Sequence, residues 1–310
     1  MQHLFLSDIA SGLAKQPPGV ATARFSAAAD WTFPIPNSTF AVLMFPLYTD
    51  TFPSTAADFE RLLNESIERS FVAGSRPVTV RDHSFPQVEA ITVSLDGARL
   101  RADAPRPLPV PGQTSAALEI DRFTLSASPL SVGPVAADLS LAAHGVQLRQ
   151  GKDLNGQIVL SLDRAIDGNL EISLARTDLE ALVLNLAQDQ AEKHGVTIDD
   201  LQLKLRQEND QSVAIEVTLR ARKLFLSASI KVTGRLDLDE ELNLKLSGLN
   251  CVGDGGIATM ACGILTPYLR KVDGREFPLM ALPLGEVRLR EVQVTVGDSM
   301  VVTAKFGSAS

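Results

Sequence analysis

Alternation of apolar and polar residues with a period of two, interrupted by three short Leu-rich stretches with a helical period, constrains this chain more than anything else in it. The pattern is clearest from Arg176 to Lys305. Val213, Ile215, Val217 and Leu219 alternate with Glu216, Thr218 and Arg220. Leu201, Leu203 and Leu205 alternate with Gln202 and Lys204. Successive strand side chains point to opposite faces, so such runs give one wet and one dry face, the signature of antiparallel pairing. A chain built this way buries apolar surface between helices and sheet. That is the build of a container or an interaction surface more than of an active site.

Three helices are expected, near 55–72, 177–194 and 257–271. In the first, Phe59, Leu62, Leu63, Ile67 and Phe71 form one stripe, Ser54 or Thr55 supplies the cap, and Gly74 closes it. In the second, Thr177 and Glu180 have capping-box spacing, with Gly195 at the far end. The third follows Gly253-Asp254-Gly255-Gly256 and carries Ile257, Met260, Ala261, Ile264, Leu265 and Leu269.

Between them the expected strands are Val88 to Ala104 with a turn at Asp96-Gly97, then runs at 118–125, 135–149 and 157–165. Asp167-Gly168-Asn169 reads as a hairpin turn. Further runs lie at 201–205, 213–220, 224–238 and 242–246, the last two around an acidic hairpin tip. A final hairpin has a bulge at Arg290-Glu291 and a turn at Gly297-Asp298. Pro105, Pro107, Pro109 and Pro111 mark a loop.

Residues 1–53 stand apart. They hold half of the aromatic residues and are cut by prolines. They read as an extended arm packed on the body, with an aromatic lid or a membrane-interface foot as the alternative. The body is then 54–307, as one domain or as two halves, 54–150 and 151–307.

A formal charge of -8 argues against a nucleic-acid partner, which needs a concentrated basic face. No apolar run approaches the ~18 residues of a membrane span. No secretory leader is visible, so the cytoplasm is the default location. Cys251 and Cys262 have no zinc-ligand spacing. They read as two buried thiols, with a disulfide as the other choice. The four histidines are scattered, and no nucleophile, P-loop or metal motif occurs. The chain is therefore expected to have no catalytic residue, no metal site, no cofactor and no enzyme activity.

Three stretches carry a resemblance. DFERLLNESIERSF leads into VTVRDHSFPQVEAITVSLDGARL; ARTDLEALVLNL precedes VAIEVTLRARKLFLSASIKVTGRLDL; and GIATMACGILTPYL leads to FPLMALPLGEVRLREVQVTVGDSMVVTA. In order and pattern these resemble the tubular lipid-binding (TULIP) superfamily, and within it the bacterial lipomannan elongation and maturation factor-like family. The resemblance implies an α+β fold in which a strongly curved antiparallel sheet wraps on long helices, with an apolar groove for acyl chains and an envelope setting. It supplies no catalytic residue.

The expected function is non-catalytic binding of a lipid or other long apolar ligand, with transient membrane contact. Candidate lining residues are Leu182, Leu186, Val217, Leu226, Ile230, Leu244, Ile264 and Leu265. The alternatives are a scaffold whose groove is filled by its own side chains, or an accessory to an envelope glycolipid enzyme.

Overall fold

A computed structural model describes residues 44–307, apart from 106–107, 134, 193–195, 224–225, 240–242 and 279–287, and without the side chains of Leu186, Asp189, Gln190, Lys223, Leu226, Ile264, Phe277, Pro278 and Arg288. The order of elements begins β1 (Met44–Pro46), α1 (Ala56–Ser70), β2 (Phe71–Val72), β3 (Val78–Ser84), β4 (Gln87–Ser94), β5 (Arg99–Leu100), β6 (Ser115–Val132), β7 (Val135–Lys152), β8 (Ile158–Arg164) and β9 (Asp167–Ala175). It continues α2 (Arg176–Glu192), β10 (Thr197–Asn209), β11 (Ser212–Lys223), β12 (Leu226–Leu238), β13 (Asn243–Gly253), α3 (Gly256–Val272), β14 (Glu276–Pro278), β15 (Arg288–Val296) and β16 (Ser299–Gly307).

The strands form two sheets. One has eleven strands with a main path β15-β16-β9-β7-β6-β4-β3; the other has five, in the order β10-β11-β12-β13-β14. The expected α+β architecture of a curved antiparallel sheet on long helices is overturned. The described chain is mostly strand, its large sheet is mixed, and its helices are only 15, 17 and 17 residues long. The mixing comes from β6, which pairs in parallel with β4 and β5. Parallel neighbours need a long crossover, and the Pro-rich segment between β5 and β6 provides it. Alternation reports which face is dry; it does not say which strand lies next, and that is why the parallel pair escaped.

The main core lies on the large sheet. α1 buries Phe59, Leu62, Leu63 and Ile67 against Val78, Val88, Ile91, Val93, Leu118 and Ile120. Its N-cap is Thr55, whose Oγ1 accepts from the Asp58 amide at 3.1 Å. The helix stops at Ser70, with Phe71 as its C-cap, rather than running to Gly74, because Phe71 and Val72 pair as a strand with Leu100 and Arg99. Asn64 is buried and fully used: its Nδ2 donates to the Glu60 and Val78 carbonyls and its Oδ1 accepts from the Val78 amide.

Of the arm, residues 1–43 lie outside the described residues. Met44–Pro46 pair with β8, Leu47 is 1% exposed, and the Phe52 ring packs 6.4 Å from Phe59 and 6.0 Å from Phe85. Arg69 covers the Tyr48 ring at 4.1 Å.

Asp167-Gly168-Asn169 is strand, not turn: Gly168 pairs with Ala143 on one side and Phe306 on the other. A Cβ at Gly168 would sit 2.2 Å from the Phe306 ring, so the glycine is there to let that ring lie on the strand. The bulge at Arg290-Glu291 is present, with Glu291 at φ 49°.

Candidate functional site

The dry face of the five-stranded sheet can be read in rows from its register. One row is Leu201, Leu219 and Ile230; the next is Leu203, Val217, Val232 and Cys251; the next is Leu205, Ile215 and Gly234; the last is Val213, Leu236 and Leu246. The opposite face carries Lys204, Glu216, Lys231 and Arg235. There Glu216 lies between Lys231 at 3.2 Å and Lys204 at 3.4 Å. The bond from Lys231 is the main cause that holds its carboxyl below the usual range.

Each end of the dry face has its own cover. At one end α2 and α3 close over Ile198, Ala221 and Ile230, using Leu184, Ala187, Ala191, Ala261 and Leu265. At the other end Val213, Leu236, Leu238 and Leu244 meet Val294, Met300 and Val302 of the large sheet around an apolar cavity of only about 10 Å³. That space is near the lower limit for one water. The Asp210 carbonyl accepts from the Val294 amide at 2.6 Å and stitches the two sheets together there.

Between these covers lies a half-buried aliphatic strip. Ile215 and Val217 on β11, Leu246 and Leu249 on β13 and Leu182 on α2 are each partly exposed and belong to neither core cluster. Gly234 sits in its floor; a Cβ there would meet Leu249 Cδ2 at 2.7 Å.

The helices frame the strip. α2 packs chiefly on β10 and α3 on β13 and β12. β10 and β13 are three strand spacings apart, about 14 Å, more than the ~8–10 Å at which two helices pack directly.

Polar side chains of α2 hold it on β10, an edge strand. Glu180 Oε1 accepts from the Leu203 amide at 3.3 Å, and Gln188 Nε2 donates to the Ile198 carbonyl at 3.1 Å. Edge strands expose unpaired backbone groups, and these two residues, two turns apart, satisfy them. Glu180 is therefore turned outward to the sheet and not back to a capping box; the helix already starts at Arg176.

α3 is fixed covalently. Cys251 and Cys262 form a disulfide with Cα atoms 5.5 Å apart, so the expected free thiols are corrected. The residues are 11 apart in sequence, and it is the return of α3 over β13 that brings them together. That return is also tight: a Cβ at Gly253 would lie 2.3 Å from the Ala258 carbonyl carbon.

The eight candidate lining residues divide. Val217 and Leu182 lie on the strip, half-buried. Ile230 and Leu265 are part of the core under the helices, and Leu244 lines the closed seam between the sheets. The side chains of Leu186, Leu226 and Ile264 lie outside the described residues. Ile215, Leu246 and Leu249 of the strip are not among the eight, although Ile215 stands in the same alternating run as Val217.

A second feature escaped the sequence: an open cleft of about 420 Å³ lined by Asn209, Asp210, Gln211, Glu291, Val292 and Gln293. Its amides and carboxylates would suit a polar or cationic group. It forms where the β10–β11 turn meets the bulge of β15, and only the bulge was legible.

Asp237 is structural, while Glu240 and Glu241 of the same acidic tip lie outside the described residues. Asp237 accepts from Ser212 at 2.6 Å, Arg235 at 3.0 Å and Ser247 at 3.2 Å. Burial pushes its carboxyl up, but these bonds outweigh it and hold the carboxyl below its ordinary value of 3.8. Two histidines have carboxylate neighbours, His144 with Asp167 at 2.8 Å and His83 with Asp121 at 3.6 Å, all exposed. Among the described residues no group of His, Cys, Asp and Glu could hold a metal ion.

The fold and this site define a class: a β-rich, two-sheet protein with a half-buried aliphatic strip framed by two helices, one of them tied down by a disulfide. The chain belongs to a bacterial family described as "Uncharacterized protein conserved in bacteria (DUF2125)", whose model matches residues 89–307. No curated protein and no solved structure matches it.

Proposed function

We propose that this protein binds a long apolar ligand, a fatty-acyl chain, along the strip over β11 between α2 and α3, and does no chemistry on it. The observation that supports this is the partly exposed set Ile215, Val217 and Leu249, which among the described residues belongs to neither core cluster. A large apolar surface left uncovered costs solubility unless something binds there. Each methylene taken from water contributes ~0.8 kcal/mol, so about eight in contact supply roughly 6 kcal/mol before ordering costs of several kcal/mol. The affinity is accordingly modest and the ligand exchangeable. The ligand lies in an open trough and not in an enclosed tube, since the interior seam of about 10 Å³ is filled by side chains.

The seam also supports a second reading, a scaffold that carries no ligand. Mass spectrometry of the gently purified full chain separates the two. Co-purifying acyl lipid, lost from a Val217→Arg protein that still folds, is the expected result. A wild-type spectrum with no lipid, together with no uptake of added fatty acid, would leave the scaffold.

A further inference from the structure

α3 presents a second apolar surface, on its outward side. From Gly256 to Leu269 the helix has no charged residue, in a chain that is 21% charged. The inward side is accounted for: Ala258, Cys262 and Val272 are buried. The outward side consists of Gly256, Ile257, Thr259, Met260, Gly263 and Pro267, all exposed. Ile257 is 45% and Met260 71% exposed. A surface helix of a soluble protein ordinarily places charges there.

At its C-terminal end the character changes abruptly. Arg270, Lys271 and Arg275 are exposed within six residues, and Lys271 Nζ stands 5.8 Å from the Tyr268 ring centre. Asp273, the acid among them, accepts from the Leu249 amide at 3.1 Å. An apolar face, an aromatic and a cluster of cations at one end is the pattern of a helix that lies in a membrane interface, with its cations at the headgroups.

We propose that the outward face of α3 docks on a bilayer surface carrying anionic headgroups. Two further observations favour a membrane over other apolar partners. The cations complement anionic lipid in a chain whose overall net charge is -8. The Cys251–Cys262 disulfide holds the inward side of α3 on β13, so the outward side cannot turn in to bury itself. Structural disulfides also persist in oxidising compartments, which in a bacterium lie outside the cytoplasm, beside membranes. Among the described residues no helix is long and apolar enough to cross a membrane, so the contact is a surface one.

This inference does not rest on the acyl-binding trough, and the test keeps them apart. The oxidised full chain is sedimented with vesicles of phosphatidylcholine alone and of phosphatidylcholine with phosphatidylglycerol. Binding to the anionic vesicles is expected, weakened by salt. Ile257→Glu with Met260→Glu should reduce it about tenfold, and Arg270→Glu with Lys271→Glu should remove the preference for anionic lipid. These exposed positions leave the thermal melt unchanged, and Val217→Arg leaves vesicle binding unchanged. No vesicle binding by the wild type, or binding indifferent to Ile257→Glu with Met260→Glu, overturns the proposal. So does a concentration-dependent dimer that those two substitutions abolish, because the face would then be a contact between copies.

Discussion

α1 and α2 are close in length, 15 and 17 residues, and both open with an acidic residue in the first turn, yet they are held in unlike ways. α1 sinks Phe59, Leu62, Leu63 and Ile67 into the large sheet and buries even Asn64 and Ser66. None of the described side chains of α2 is buried; it lies along an edge strand, fastened by Glu180 and Gln188. α3, which packs on β13 and β12, is tied to β13 by a disulfide. The large sheet spends its apolar surface on its own core. Part of the small sheet's dry face is only partly buried among the described residues. On the function proposed above, stability and ligand access belong to different sheets, and that division can be broken at stated points.

The largest effect is expected at Phe59, 0% exposed at the centre of the large-sheet core. Phe59→Ala removes a ring that packs on Phe52 and Phe85 and should cost ~3–5 kcal/mol in urea unfolding. If it costs no more than a surface substitution, the large sheet is not the stable body.

Next is the disulfide. Cys251→Ser with Cys262→Ser opens an 11-residue connection and should cost ~2–3 kcal/mol. The loss should be local, with amide exchange in α3 rising well before that in α1. Equal acceleration in both helices would mean the two sheets unfold as one unit.

A smaller effect belongs to Asp237, which joins β12 to β11 and β13. Its folded carboxyl titrates below the ordinary value, so its stabilisation is present above pH 3.8 and is lost as the pH falls through the lower, folded value. Asp237→Asn should therefore cost ~1 kcal/mol at neutral pH, and the difference from wild type should shrink to nothing in acid. A difference that persists at low pH would assign the effect to packing.

The same contrast explains what could be read in the sequence. α1 and the dry face of β11 were legible from their periods: Phe59, Leu62, Leu63 and Ile67 form one buried stripe, and Val213, Ile215, Val217 and Leu219 all stand on one side. Leu244 and Ile230 have the same pattern and yet are covered, one by the large sheet and one by helices, because alternation marks a dry face without naming its cover. Partners distant in sequence were illegible for a related reason. The parallel pairing of β4 with β6, the neighbourhood of His144 and Asp167, and the cleft between the β10–β11 turn and β15 all depend on which strands meet. Asp167-Gly168-Asn169 misled because its glycine serves the Phe306 ring and not a turn.

The central claim, an acyl chain lying on the open strip, is most directly tested by titrating the full chain with a fluorescent fatty acid, comparing wild type with Val217→Arg and Ile230→Val. Val217 is partly exposed, so the long stem of an arginine there can carry its charged head toward solvent, while placing a charge in the path of the chain. Ile230→Val trims the covered core beside it, 3% exposed, and should leave uptake as it is. Saturable uptake by wild type and by Ile230→Val, abolished in a folded Val217→Arg, is the result this account predicts; uptake undiminished in Val217→Arg, or none in wild type, would contradict it.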